Sequence, residues 1–312
     1  MRGFVKPIVV LSKCLEFEAC RYDGQVIPDG FVKQLEPHVA FIPVCPEVEI
    51  GLGVPREPIQ IVSVKGEQRL IQRATGKDLS DAMPSFADRF LTSLDEVDGF
   101  ILKSRSPSSG IKDVKVYLGM EKGAATRKSA GFFARKVLER FPGLAIEDEG
   151  RLTNFKIREH FLTKLFALAS LRATKKSSSM GALIRFHTVN KLLLMAYNQK
   201  EMRILGKIVA NHEKNPTAEV MADYEPHFKA ALARASKSSS AVNVLMHGLG
   251  YFSKQLSSQE KAFFLEALEK YRRGKIPLSA PLSILRAWII RFENHYLMEQ
   301  TFFEPYPMDI QL

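Results

Sequence analysis

The chain has 312 residues and a formal net charge of +11 at pH 7, and a chain of this length suits two domains better than one. Its hydrophobic content of 46% is ordinary for a globular protein, so each half can build its own core. No apolar run approaches the roughly 18 residues of a membrane-spanning helix, and we expect no membrane partner. Three cysteines are an odd number, which argues against a disulfide framework and favours a cytoplasmic protein with reduced thiols.

Charge is distributed unevenly along the chain. Residues 1–150 hold 21 of the 45 Lys and Arg and 21 of the 34 Asp and Glu, which leaves 24 and 13 for residues 151–312. The whole positive excess therefore lies in the second half. A neutral half joined to a basic half suggests catalysis by the first and binding of a polyanion by the second.

The first half alternates between apolar strand patterns and amphipathic helix patterns. Strands are predicted over residues 7–12, 39–44, 59–64, 99–103, 114–118 and 144–146. Helices are predicted over residues 31–35, 78–94 and 129–141. This alternation is typical of an α/β domain with a mostly parallel sheet, and we place that domain at residues 1–149.

From Thr153 onward the pattern is helical throughout. A capping box at Ser257–Glu260 begins one helix, and Gly274 suits the position just beyond its end. Other helices are predicted over residues 183–197, 218–235, 242–255 and from 281 to about 300, with polar loops over 174–179 and 236–240. The sequence therefore predicts an all-α domain over residues 150–312.

Several polar groups follow the predicted strands directly. Cys14, Cys45 and a hydroxyl-rich loop over residues 104–110 each come just after a strand. Because ligands of parallel sheets bind beyond the carboxyl ends of the strands, we expect these three loops to meet at one edge. Glu47, two residues after Cys45, is then a candidate general base.

The first half offers few other catalytic groups. His38 is its only histidine, so a histidine-based triad has little to build on, and the Gly-Leu-Gly at 51–53 lacks the third glycine of a dinucleotide loop. The spacing of Cys14, Cys20 and Cys45 does not match a zinc ribbon. Three thiolates suit an iron–sulfur cluster with one iron left open as a Lewis acid. The alternative is that the thiols are buried as small hydrophobes.

Longer motifs point to a known family. In the first half they are Leu11-Ser-Lys-Cys-Leu-Glu-Phe-Glu-Ala-Cys-Arg-Tyr-Asp-Gly24, Pro43-Val-Cys-Pro-Glu-Val-Glu-Ile-Gly-Leu-Gly-Val-Pro-Arg56 and Phe100-Ile-Leu-Lys-Ser-Arg-Ser-Pro-Ser-Ser-Gly110. Together they resemble the TudS-type thiouracil desulfidases, over roughly residues 5–150. The second half, through Arg185-Phe-His-Thr-Val-Asn-Lys-Leu-Leu-Leu-Met195 and Asn243-Val-Leu-Met-His-Gly-Leu-Gly-Tyr-Phe252, resembles a domain of unknown function that is often fused to them. The fused arrangement resembles the RudS-type desulfidases, which act on 4-thiouridine in tRNA.

The resemblance implies a [4Fe-4S] cluster held by only three cysteines and a non-redox removal of sulfur. Cys14, Cys20 and Cys45 are the thiols that this chain provides. Ser109 stands where the family usually has a cysteine. If that cysteine is normally a ligand, either Cys20 replaces it or the cluster is impaired, because a hydroxyl is a far poorer iron ligand than a thiolate.

The resemblance also implies a catalytic glutamate and a catalytic serine. The expected mechanism has the open iron binding the C4 thiocarbonyl sulfur of the thiolated uracil while Glu47 activates a water as general base. That water attacks C4, and Ser106 or Ser108 donates a hydrogen bond to the water or to the substrate. Hydrosulfide leaves and the base becomes uridine. The alternative for Glu47 is a surface acid paired with Arg56.

The second half is expected to bind the tRNA. Contacts from Lys and Arg to phosphates give an affinity that falls steeply with salt. The candidates for RNA binding are Lys175, Lys176, Arg185, Lys191, Lys237, Arg272, Arg273 and Lys275, although each alone is more often a solvated surface charge. Tyr251 and Phe252 could stack on bases, but aromatics at helical spacing are more often part of a core.

Three functions are consistent with the sequence. The first is desulfuration of 4-thiouridine in tRNA, and the second is desulfuration of free thiouracil, with the helical domain serving assembly only. The third is an RNA-binding protein whose cluster is structural or has been lost, which Ser109 makes plausible. We take the first as the expected function.

Overall fold

The computed structural model of the chain describes residues 3–119, 121 and 125–310. It divides into two compact units, one comprising Met1–Ala169 with Met308–Leu312 and the other comprising Ser170–Pro307. The division falls within a long helix rather than at a loop. The boundary at residues 149 and 150 stays a prediction.

The first sheet contains four strands, all parallel. Its order is β2-β1-β6-β9, with bounds Ala40–Val44 for β2, Ile8–Ser12 for β1, Gly99–Leu102 for β6 and Ala145–Asp148 for β9. The inner strands β1 and β6 read as continuous apolar runs and are almost wholly buried, as strands covered on both faces require. The predicted parallel sheet is confirmed.

A second sheet contains the other five strands of the described residues. Its order is β5-β4-β3-β7-β8, with bounds Lys77–Asp78, Glu67–Gln72, Ile59–Val64, Val114–Tyr117 and Thr126–Ser129. The assignment of β3 and β7 to the parallel sheet was wrong, and β4, β5 and β8 were missed. These three strands are polar, so they show no apolar alternation. The hairpin from β3 to β4 turns through Lys65 and Gly66, whose positive φ angles of 50° and 89° match the twist of tight hairpins.

Six helices begin in the part of the first unit that the structure describes. They are α1 (Gly30–Leu35), α2 (Pro46–Glu49), α3 (Ala82–Thr92), α4 (Phe132–Arg140), α5 (Glu149–Leu152) and α6 (Phe155–Lys176). The helix predicted from 129 begins later because Ser129 pairs with Val114 in the second sheet. The loop predicted over 174–179 is partly wrong, since α6 continues to Lys176.

Seven helices follow in the second unit, which confirms the all-α prediction. They are α7 (Met180–Tyr197), α8 (Gln199–Ala210), α9 (Thr217–Ala231), α10 (Ser238–Gly250), α11 (Ser258–Arg272), α12 (Ser279–Arg291) and α13 (His295–Met298). The capping box of Ser257 and Glu260 is present, and Gly274 has a φ of +70°. The prediction of one helix to residue 300 was wrong because the Asn294 side chain caps a separate helix, α13. No helix in the described part of the chain is both long and apolar enough to cross a membrane.

The loop after β6 is held against the start of α4. The N–H groups of Gly131, Phe132 and Ala134 donate to the carbonyl oxygens of Gly110, Pro107 and Ser108 at 2.8, 3.1 and 3.0 Å, respectively. The first N–H groups of a helix have no acceptor within the helix, and the loop supplies one for each of these. Gly131, the residue before α4, permits this approach. A Cβ atom at position 131 would lie 2.4 Å from the carbonyl oxygen of Ser108.

We expect Gly131→Ala to lower the free energy of unfolding by about 1–3 kcal/mol, the usual cost of overpacking. Urea denaturation of the full chain measures this value. Gly30→Ala is the matched control, because a Cβ atom at position 30 meets nothing within 4 Å. Equal losses in the two variants would contradict a requirement for close approach at Gly131.

Candidate active site

Three loops meet at the carboxyl edge of the parallel sheet. Ser12 of β1 lies beside Val44 of β2, and Leu11 lies beside Ile101 of β6, so the segments that follow these strands emerge together. All three line one pocket of about 370 Å³. The expectation that the three loops converge is therefore met by the geometry.

The three thiols form one buried cluster at this pocket. Cys14, Cys20 and Cys45 are 9%, 1% and 5% exposed, and Ile27 and Val48 pack against them. None of the three is in a disulfide. Their burial fits both an iron–sulfur site and the alternative of small buried hydrophobes, and all three also line the pocket.

Contacts among the thiols change their acidity. A hydrogen bond with the Cys14 thiol and burial raise the pKa of the Cys20 thiol to about 11. The pKa of the Cys45 thiol is raised still further, by its hydrogen bond with Cys20, by burial and by the nearby Glu47 carboxylate. Without a metal these two thiols are therefore protonated at neutral pH. Because metals bind thiolates, loading of the site must release protons and is favoured by rising pH.

The three thiols are a donor set that suits an iron–sulfur cluster. Among the described residues, no group of three His, Cys, Asp or Glu side chains is arranged to hold one metal ion. An iron–sulfur cluster makes a different demand, since most such clusters are held by cysteine thiolates. Three soft donors of one kind, facing a pocket whose lining includes Arg56, fit an anionic cluster of that type.

Glu47 connects the thiols with the serine loop. Cys45 precedes α2 with extended backbone angles, and Pro46 starts the helix, which turns Glu47 back toward the pocket. Its Oε1 accepts hydrogen bonds from Ser108 Oγ at 2.5 Å and Ser106 Oγ at 3.3 Å. Its Oε2 lies 3.5 Å from Cys45 Sγ. The structure therefore brings together Glu47 and both candidate serines.

The two serines occupy different positions around this carboxylate. Ser106 lines the pocket, and its Oγ accepts from the N–H groups of Ser108 and Ser109 at 3.3 and 3.2 Å. Its own proton is thus available for Glu47 or for Ser108 Oγ, 2.9 Å away. Ser108 is completely buried and is not part of the pocket lining. Ser106 can therefore contact a substrate, whereas Ser108 can only orient Glu47.

Ser109 also belongs to this group. It is 2% exposed, lines the pocket and has its Oγ 3.2 Å from Ser108 Oγ. The residue that packs with Cys14 and Cys45 as the third thiol is Cys20.

Arg56 is the residue of this site whose role the sequence did not reveal. One amino group of its guanidinium donates to the carbonyl oxygens of Cys20 and Gly53 at 2.9 and 3.2 Å. The other lies 3.9 Å from Glu47 Oε2 and 4.0 Å from Cys45 Sγ. Only 8% of its side chain is exposed. The pairing with Glu47 exists, but it is buried, so Glu47 is not a surface acid.

The candidates for RNA binding are not equally available. Four of the eight are paired with acidic side chains: Lys175 with Glu225, Arg185 with Glu299, and both Arg272 and Arg273 with Glu269. Lys191, Lys237 and Lys275 are exposed, and none of them forms an ion pair with another described residue. Lys176 is engaged in a contact of its own.

The two aromatics considered for base stacking lie in different environments. Phe252 is 1% exposed and packs against Phe292, so it belongs to the core. Tyr251 is 51% exposed and stacks on Tyr296 with the ring centroids 5.8 Å apart.

Both halves of the chain match known proteins. A family model described as 2-thiouracil desulfurase matches residues 9–149, and one described as a protein of unknown function, DUF1722, matches residues 191–307. Uncharacterized protein YbgA of Escherichia coli K12 is 32% identical over 153 residues, which are 48% of this chain and 90% of YbgA. Uncharacterized protein YbbK of Bacillus subtilis 168 is 31% identical over 110 residues, which are 33% of this chain and 73% of YbbK.

One solved structure is also similar, that of the [4Fe-4S]-dependent thiouracil desulfidase TudS. It is 26% identical, covers 47% of this chain and 94% of its own, and has a TM-score of 0.38. The family models and the two relatives define the class: the chain belongs to the 2-thiouracil desulfurase family and carries a DUF1722 region in its helical part.

We expect Arg56→Ala to lower the free energy of unfolding by about 3 kcal/mol, because it leaves the buried Glu47 and two carbonyl oxygens without their partner. Chemical denaturation of the metal-free chain measures the change. Arg69→Ala is the control, since Arg69 and Asp78 form an exposed pair with both side chains 43% accessible, which should contribute about 0.5 kcal/mol or less. Similar losses in both variants would contradict the structural role of Arg56.

Proposed function

We propose that this protein removes sulfur from 4-thiouridine in tRNA, without net oxidation or reduction, to yield uridine and hydrosulfide. The overall balance is thiocarbonyl plus water giving carbonyl plus hydrogen sulfide. Membership of the 2-thiouracil desulfurase family supports the reaction class. The observation that carries the proposal is the Glu47 carboxylate, which joins Cys45 to Ser106 and Ser108 at one pocket.

The cofactor in this proposal is a [4Fe-4S] cluster held by Cys14, Cys20 and Cys45. When bound, such a cluster supplies a Lewis-acidic iron for the soft sulfur of the substrate. Cys20 is the third ligand because it lies in the thiol cluster, whereas Ser109 contributes only a hydroxyl, bonded to Ser108. Arg56, beside Cys45 Sγ, offsets negative charge on the thiolates.

Glu47 acts as the general base in this proposal. Its carboxylate takes a proton from a water in the pocket, and the oxygen of that water attacks the carbon of the thiocarbonyl group. The C–S bond then breaks, and sulfur leaves as hydrosulfide. General base catalysis by a positioned carboxylate contributes about 10²–10⁴-fold to the rate.

The serines assist Glu47 in different ways. Ser106 lines the pocket and has a proton to donate, so it orients the attacking water or the substrate. Ser108 is buried and donates to Glu47 Oε1 at 2.5 Å, so it holds the carboxylate in place. Ser106 is thus our choice for the serine that contacts the reacting groups.

The choice of tRNA as substrate rests on charge. The positive excess lies in the second half of the chain, and exposed Lys191, Lys237 and Lys275 are its best candidates for phosphate contacts. A second candidate substrate is free thiouracil, which the description of the family model favours. The two substrates differ in charge, so they can be separated experimentally.

The test uses the full chain, purified anaerobically and reconstituted with iron and sulfide. We expect hydrosulfide release from 4-thiouridine-containing tRNA that far exceeds release from equimolar thiouracil. Glu47→Gln should lose at least about 100-fold in turnover while its visible absorption and iron content stay at the level of the unsubstituted protein. Faster turnover of thiouracil than of tRNA would select the second candidate. Full activity of Glu47→Gln would remove Glu47 from the mechanism.

A further prediction concerns the ligands. Cys20→Ser should reduce the iron content well below the roughly four atoms per chain of a [4Fe-4S] cluster, because a hydroxyl replaces a thiolate. Ser109→Ala should leave iron content unchanged. Iron and sulfide analysis after reconstitution measures both. Iron loss in Ser109→Ala with full occupancy in Cys20→Ser would contradict our ligand assignment, and a colourless, iron-free parent protein would leave only RNA binding.

A further inference from the structure

The second unit contains a pocket of its own, with a volume of about 580 Å³. Sites for small molecules commonly have volumes of about 300–1,000 Å³. The end of α6, the short loop after it and one face of α9 line this pocket, and among the described residues its lining shares no member with the candidate active site. The proposed desulfuration therefore leaves this pocket without a role.

One wall of the pocket is an apolar face of α9. Ala218, Ala222 and Pro226 follow one another at intervals of four residues and line the pocket, so they form a row along the helix. All three are exposed, whereas Met221, which belongs to the same wall, is only 6% exposed. The short side chains leave room beside the helix, and a methionine adapts to irregular shapes. This wall suits the apolar body of a small molecule.

Pro226 is an unusual residue for this position. It lies inside α9, where a proline has no N–H to donate to the carbonyl oxygen of Ala222 and is strongly destabilising. Both Pro226 and Ala222 line the pocket. The helix thus keeps a costly residue at the pocket wall, where the proline ring adds apolar surface for a ligand.

The other side of the pocket is charged. Glu225 Oε2 pairs with the ammonium group of Lys175, and Glu225 Oε1 lies 2.7 Å from Lys229 Nζ. Burial raises the pKa of the Glu225 carboxyl, but hydrogen bonds from the two ammonium groups lower it by more, so the net shift is downward. Glu225 is therefore ionised at neutral pH, and two positive charges share one negative charge. Each ammonium group has three donors, so both keep donors for a second anion.

We propose that this pocket binds a small organic carboxylate, with the apolar body of the ligand against α9 and its carboxylate on Lys175 and Lys229. The single uncompensated positive charge matches the single negative charge of a carboxylate. Inorganic phosphate has no apolar part to place against Ala218, Ala222 and Pro226, so it fits the pocket less well. This inference is independent of the proposed function.

The test is titration calorimetry of the full chain at low salt with three probes: 4-phenylbutyrate, the uncharged 4-phenylbutan-1-ol and inorganic phosphate. The first two share an apolar body and differ in the charged group. We expect the carboxylate to bind about tenfold more tightly than the alcohol, the ratio that one charge-assisted contact produces. Added salt should reduce this ratio, and phosphate should bind more weakly than the carboxylate.

Two variants assign the binding to the apolar wall. Ala222→Leu places a larger side chain in the pocket, and because Ala222 is exposed and leucine is a good helix former, the variant should fold normally. It should lose the binding of both phenyl probes. Ala230→Leu is the matched control, since Ala230 is an exposed residue of the same helix that does not line the pocket, and it should bind like the unsubstituted protein.

Two further variants assign the preference for the carboxylate to the lysines. Lys229→Met leaves the neutral pair of Lys175 and Glu225, so the carboxylate should bind no more tightly than the alcohol. Lys270→Met is its control, because Lys270 forms the same kind of pair with Glu266 on α11, one turn apart. It should keep the full preference.

Equal binding of the carboxylate and the alcohol by the unsubstituted chain, including no binding of either, would overturn this inference. Phosphate binding as tight as that of the carboxylate would do the same, because charge alone would then account for it. An equal loss in Ala222→Leu and Ala230→Leu would contradict the location. No probe carries sulfur and the measurement needs no turnover, so a failure of the desulfidase proposal would leave this result unaffected.

Discussion

The parallel pairing of β1 with β2 on one side and β6 on the other is the constraint on which the site depends. This register brings the ends of three strands to one edge, so residues more than 90 positions apart in sequence share a pocket. A slip of one residue would turn each strand's side chains to the opposite face. The continuous burial of β1 and β6 on both faces fixes the strands in place and leaves the polar chemistry to the loops.

The burial of the Glu47 carboxylate depends on the polar side chains that surround it. A carboxylate that is 13% exposed would be costly to bury without partners. The protein supplies two hydroxyl donors through Ser106 and Ser108 and a positive charge through Arg56. The same guanidinium binds the carbonyl oxygen of Cys20, so the loop that carries Cys20 and the segment that carries Cys45 and Glu47 are tied by one side chain. Arg56 therefore both offsets the charge of Glu47 and holds together the two segments that carry the thiols.

The second unit shows why a surplus of charge is only a first indication of function. Several of its cations are neutralised by helical neighbours, such as Arg272 and Arg273, which share Glu269. Such exposed pairs add little stability, but they reduce the charge that a polyanion would meet. Availability for phosphate contacts therefore depends on which acids lie nearby in space. Composition cannot provide that information, and the exposed lysines at 191, 237 and 275 are distinguished only by the fold.

Local signals in the sequence were sufficient for much of the fold. The strands at residues 8–12 and 40–44 were predictable from short apolar runs, and the start of α11 from Ser257 and Glu260, because each depends on neighbours within a few residues. The polar strand β4 was not predictable. Its side chains give no alternation, and its position is decided by hydrogen bonds to β3 through a two-residue turn. The end of α12 at Arg291 likewise depends on the cap that Asn294 forms for the next helix.

For the site, the sequence by itself determined which reactive groups are present and that Cys14, Cys45 and the serine loop follow strands. The tertiary structure alone decided that Cys20 packs with Cys14 and Cys45 and that Ser106 rather than Ser108 lines the pocket. It also decided that Arg56 is buried against Glu47. The reason is that residue type and spacing along the chain carry the chemistry of each group, whereas its accessibility and its partners depend on contacts between segments that only folding brings together.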